Sequence, residues 1–104
     1  MGDIMEIDKI EITDNDIYLI IYPKENSVLI NNEKHNISNE EIEKLLNIVM
    51  VWNHNYYSNR GLDGIRFSVK IYSDNQVDEY RGLREVPDNY LEFSNLVRGL
   101  YDKR

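Results

Sequence analysis

The sequence contains no cysteine. Disulfides, thiolate metal sites and a cysteine nucleophile are excluded, and a reducing compartment suits the chain. Long apolar runs are missing too. The longest, Ile17-Tyr18-Leu19-Ile20-Ile21-Tyr22, is far too short to cross a bilayer. The N-terminal Met1-Gly2-Asp3-Ile4-Met5-Glu6 lacks the basic and apolar regions of a secretory leader. Glu6 stands where N-myristoylation needs Ser or Thr. A cytoplasmic protein with no membrane partner is expected.

Positive charge is in the minority. The chain has 12 Lys and Arg against 19 Asp and Glu, a formal net charge of -7. That sign repels phosphate, because nucleic-acid affinity comes largely from basic side chains that release counterions. The nearest thing to a basic patch is Arg81, Arg84, Arg98, Lys103 and Arg104, interrupted by Glu79, Glu85, Glu92 and Asp102. No nucleic-acid partner is expected.

Catalytic and metal-binding patterns are equally scarce. His35 and His54 match neither H-x-x-x-H nor H-E-x-x-H, so they read as two surface histidines. No G-x-S-x-G elbow is present, and Ser38, Ser58 and Ser73 fit a cap and turns. The carboxylate pairs have structural explanations: capping for Glu40-Glu41, pairing with Lys70 for Glu79, and a turn for Asp14/Asp16. Asp14-Asn15-Asp16 opens like a calcium loop but lacks the later Gly and Glu. There is no glycine-rich phosphate loop. The expectation is a protein that is not an enzyme, with no cofactor and no metal.

What is present describes a fold. The 104 residues, 41% hydrophobic and 30% charged, fit a single domain spanning 1–104. Ile10 and Ile12 alternate with polar neighbours, as in a half-buried strand. Residues 17–22 read as a strand covered on both faces or central in its sheet, ended by Pro23. Val28, Leu29 and Ile30 form a third strand, and Asn31-Asn32-Glu33-Lys34 a hairpin turn back through His35 to Ile37. Ser38 and Glu41 form a capping box. The helix it opens carries Ile42, Leu45, Leu46, Val49, Trp52 and Tyr56 on one stripe and stops near Tyr57, before Ser58-Asn59-Arg60-Gly61.

Ile65, Phe67, Val69 and Ile71 share one face of the clearest strand, and Arg66, Ser68, Lys70 and Tyr72 the other. A turn at Asp74-Asn75 sets Val69 opposite Tyr80 and Lys70 opposite Glu79. Pro87 fits the first turn of a last helix. Tyr90, Phe93, Val97 and Leu100 line that helix, and Gly99 marks close packing or fraying. The expected class is α+β: an antiparallel sheet of about five to six strands with two helices packed on one face, in the order ββββ-α-ββ-α.

Residues left outside the core pattern are the candidate site. Tyr57 and Arg60 miss the helical stripe and belong to types enriched in interface hot spots, with His54 beside them. Tyr72, Arg66 and Glu79, with Lys70, would form a binding surface if the outer sheet face is uncovered. Val69-Lys70-Ile71-Tyr72-Ser73-Asp74-Asn75, then Tyr80-Arg81-Gly82, then Pro87-Asp88-Asn89-Tyr90-Leu91-Glu92-Phe93 resembles a pattern in small bacterial α+β proteins. Some of those are similar to immunity proteins that neutralise a cognate toxin. The resemblance is confined to the C-terminal half and brings no catalytic residue.

Together these readings favour a non-enzymatic protein-interaction module. It would act as an immunity or inhibitor protein steered onto a basic partner by its negative charge. An acidic mimic of nucleic acid is one alternative, and a small enzyme or ligand-binding protein using His54 is another. Pairing with a second copy through a sheet face or edge strand stays open under each.

Overall fold

A computed structural model describes residues 6–59 and 64–103. Residues 1–5, 60–63 (Arg60 among them) and Arg104 fall outside these ranges. Alternation forms the first strand, β1 (Lys9–Asp14), whose Ile10, Ile12 and Asp14 are buried. It pairs with β2 (Ile17–Tyr22) across a tight turn at Asn15, which adopts φ 54°. Pro23 ends β2 and opens a 3-10 turn over Pro23–Glu25. The strands β3 (Ser27–Ile30) and β4 (Glu33–Asn36) then form a hairpin about Asn31 and Asn32, both at positive φ. Asn carries this conformation at little cost. The turn is shorter than the sequence suggested, because Glu33 and Lys34 already belong to β4.

Helix α1 (Asn39–Val49) starts where the capping box places it. The Ser38 hydroxyl accepts from the Glu41 N–H at 3.1 Å, and Glu41 accepts from the Ser38 N–H at 3.0 Å. Its end differs from expectation. The helix closes at Val49 and does not reach Tyr57. Trp52 leaves the helical path to sit edge-on against Phe67 and Phe93, with ring centroids 5.1 and 5.0 Å away. Its indole N–H donates to Asn89 Oδ1 at 2.6 Å. A short strand, β5 (Asn55–Tyr57), follows, and it holds Tyr56 and Tyr57.

The long hairpin β6 (Arg66–Ser73) and β7 (Gln76–Leu83) has the register read from sequence, with Val69 opposite Tyr80 and Lys70 opposite Glu79. Asp74 takes φ 50° in its turn. Helix α2 (Tyr90–Tyr101) begins later than expected. Pro87 is not at its first turn but in the approach, where its carbonyl accepts from the Tyr90 N–H.

Among the described residues the strands form one seven-stranded sheet in the order β4-β3-β2-β1-β6-β7-β5. All neighbours are antiparallel except β5 and β7, which run parallel. The α+β class and the helix placement hold, and β5 is the strand the sequence reading missed. Ile12, Leu19, Ile21, Val28, Ile30, Phe67 and Val69 meet Ile42, Leu45, Phe93 and Val97 in the core. That core lies on one side of the sheet. The strand β2 is interior to the sheet but covered on one face, since Leu19 and Ile21 are buried while Tyr18 is 50% exposed.

Asp14 is not a turn residue. It is buried on the core side, accepting from the Tyr90 hydroxyl and from Ser94 Oγ at 2.9 Å. Both donors ride on α2, so the carboxylate ties that helix to β1.

Candidate functional site

Period two decides which side chains reach the uncovered face. Where core residues point to the helices, their neighbours point away. One outward row runs across the sheet through Lys34, Leu29, Ile20, Glu11, Lys70 and Glu79. The adjoining row sets Lys9 opposite Tyr72 and Tyr72 opposite Val77, with Tyr22 on β2 opposite Ser27. Ile20, Tyr22, Leu29 and Tyr72 are half-buried by one another, without a helix above them.

Glu11 lies at the centre of this patch. The Tyr18 hydroxyl donates to its Oε2 at 2.8 Å. Hydrogen bonding from Tyr72, then from Tyr18, holds the Glu11 carboxyl below the usual carboxylate range, with the charges of Lys9 and Lys70 adding to the effect. Both phenols are in turn pushed up by bonding to Glu11. Lys9 reaches Glu11 at 3.7 Å and lies 4.7 Å above the Tyr72 ring. The patch is therefore a set of amphipathic tyrosines anchored on a carboxylate that stays charged, which limits the rotamer entropy they would lose on contact.

Tyr57, Arg66, Tyr72 and Glu79 all lie on this outer face, at two separate places. Tyr72 and Glu79 stand near the hairpin turn beside Lys70. Tyr57 is opposite Leu83, and Leu83 is opposite Arg66, so these meet at the other end of the hairpin. There the 55–57, 66–68 and 81–83 segments line a groove of about 520 Å³.

His54 is apart from all of them. It stacks on Tyr80, ring centroids 4.7 Å and planes 12° apart, on the helix side of the sheet. Arg60 lies outside the described residues. His35 is less of a surface residue than its sequence context implied, with its side chain 21% exposed and Nε2 3.8 Å from Glu33.

Sequence reasoning missed Tyr18, Ile20, Tyr22, Leu29 and Glu11. The signal for them was the density of apolar residues in 17–22, which resembles a strand covered on both faces. Only the placement of both helices on one side separates the two cases.

The chemistry available elsewhere is limited. Tyr90 is pushed up to about 12, first by burial and then by its bond to Asp14, so it serves as a proton-bearing donor. Among the described residues no group of three or more His, Cys, Asp or Glu is placed to hold a metal, and no helix is long and apolar enough to cross a membrane. No family model, curated protein or solved structure matches the chain.

Proposed function

We propose that the protein is a non-catalytic interaction module that docks a protein partner on the outer face of its sheet. The observation carrying this reading is the set of Tyr18, Ile20, Tyr22, Leu29 and Tyr72 gathered about Glu11 on a face that neither helix covers. Such tyrosines give large contact area and a polar tip at low entropy cost, which is why they recur in binding surfaces.

The net charge of -7 favours a basic partner and fast encounter with it. The role that best suits these properties is that of an inhibitor or immunity protein acting in the cytoplasm on a basic protein. The resemblance of the 69–93 region to small bacterial proteins of that kind supports it. An acidic mimic of nucleic acid is less well supported. Exposed acids stand on α1 (Glu40, Glu43), on α2 (Glu92), at the β3–β4 edge (Glu25, Glu33) and at the hairpin tip (Asp74, Asp78). That spread is unlike a phosphate strip.

Tagged protein is used to capture partners from lysate of the source cell at low and moderate salt, beside a Tyr18→Ala, Tyr72→Ala variant. The expected result is one stoichiometric basic partner, released by salt, that binds the variant at least tenfold more weakly. Tyr18 is exposed and Tyr72 half-buried, so the variant should lose no more than about 1–2 kcal/mol in urea and stay folded under the capture conditions. A partner that binds wild type and variant alike would place the interface elsewhere and overturn the proposal.

A further inference from the structure

We infer that the open end of the β6–β7 hairpin is a binding site for a small organic anion with a flat apolar body. This goes beyond the docking function proposed above and does not depend on it. The argument begins with charge. Lys9, Lys24, Lys34 and Lys103 each stand within ion-pair distance of a carboxylate. Arg66, Arg81 and Arg84 do not: among the described residues none of them has an ion-pair partner. In a chain of net charge -7, three guanidinium groups gathered at one end of a sheet, outside ion-pair distance of any described carboxylate and with Asp16 lining a groove beside two of them, are a local reversal of sign.

The fold gathers them although the sequence interleaves them with acids. Arg81 is opposite Ser68, and Arg66 is two residues along β6 on the same face. Cross-strand diagonal neighbours of this kind have backbones about 7–8 Å apart, within reach of one anionic group for side chains as long as Arg. Their supports are fixed. The Arg66 N–H donates to Asn15 Oδ1 at 3.1 Å, and its carbonyl accepts from the Asn15 N–H at 2.8 Å. Arg81 Nε donates to Asn55 Oδ1 at 2.9 Å, which orients the guanidinium and leaves its terminal nitrogens available.

Arg84 supplies an independent observation. It is the one positive-φ residue among those described that is not Asn, Asp or Gly, at φ 64°. The left-handed region is unfavourable for a residue with a long side chain, and such strain concentrates at functional sites. Arg84 shares with Arg66 a second groove of about 350 Å³, which Asp16 also lines.

The neighbouring groove of about 520 Å³ falls in the size range of small-molecule sites, roughly 300–1,000 Å³. Tyr57 and Leu83 line it and are 66% and 38% exposed. They offer an apolar wall, and Arg66 and Arg81 offer a fork for a carboxylate or phosphate monoester. The ligand class follows from that pairing of wall and fork.

The test uses 2-naphthoate, 2-naphthyl phosphate and, as the neutral control, 2-naphthol. Each is titrated into 15N-labelled protein, with the dissociation constant read from amide shifts. Binding of either anion should move the amides of 55–57, 66–68 and 81–84, and 2-naphthol should bind at least tenfold more weakly. The stronger of the two anions tells a carboxylate from a phosphate ligand. Arg66→Gln and Arg81→Gln should each weaken the anion at least tenfold. If one variant fails to fold, the other and the comparison with 2-naphthol still decide. Equal binding of 2-naphthol, unchanged affinity in the folded variants, or no shifts at millimolar anion would overturn the inference.

Discussion

Gly82 and Gly99 are in opposite circumstances. A Cβ on Gly82 would meet Phe67 Cε2 at 2.2 Å and Cζ at 2.7 Å, and the Glu85 carbonyl oxygen at 2.8 Å. The Phe67 ring is 1% exposed and packed against Trp52 and Phe93, so making room for the methyl means moving the aromatic core. Gly82→Ala should lower stability by about 1–3 kcal/mol, as overpacked cores do. At Gly99, inside α2, a Cβ would have nothing within 4 Å. Gly99→Ala should raise stability by about 0.5–1 kcal/mol, through a less free unfolded chain. Urea denaturation of both variants checks the opposite signs. The sequence does not foretell this difference. It reads Gly99 as a packing or fraying point and leaves the surroundings of Gly82 unread, because close approach depends on which ring lies across the strand.

Among the elements, α1 illustrates what local pattern reveals and what it conceals. Its start is written in Ser38 and Glu41, three residues apart, and needs no tertiary information. Its end is concealed, because Val49, Trp52 and Tyr56 continue the helical spacing past the last turn. What ends it is tertiary: Trp52 gains more from Phe67, Phe93 and Asn89 than from another turn of helix. The strand β5 is short and pairs in parallel with a strand far along the chain, so no hairpin signal precedes it. The β6–β7 register is legible because a two-residue turn fixes every pair beyond it.

The capping box also sets a pH dependence. The Glu41 carboxyl is held below its ordinary value of 4.5, first by the Ser38 N–H and also by Lys103 at 3.0 Å. Since the folded value is the lower one, this contribution is complete above 4.5 and fades as pH falls through the folded value. Glu41→Gln keeps the cap geometry and removes the charge. It should cost about 0.3–1 kcal/mol at neutral pH, the usual size of a helix-end charge effect. Urea midpoints of both proteins taken from pH 7 downward should converge in acid. A constant gap would show that the charge contributes nothing.

The whole molecule is organised about β1. It is the strand that joins β4-β3-β2, from the first half of the chain, to β6-β7-β5 from the second. Native-state hydrogen exchange should therefore find the slowest amides in β1 and β6 and the fastest strand amides in the edges β4 and β5. Equal protection of edge and centre would contradict that hierarchy. At this scale the sequence was partly informative about the candidate site. Alternation and the turn register put Arg66, Tyr72 and Glu79 on one side of the β6–β7 hairpin. Only the assembled sheet showed that side to be uncovered, brought Tyr18, Ile20 and Tyr22 onto it, and left His54 on the other.

The central position of β1 has a consequence for synthesis. During translation β1 can pair with β2 almost at once, but its other neighbour, β6, emerges roughly fifty residues later, about 3–10 s at ordinary elongation rates. For that interval the nascent chain carries an unsatisfied row of amides and carbonyls beside Ile10 and Ile12. The middle of the finished sheet is thus an open edge for about half of the protein's manufacture.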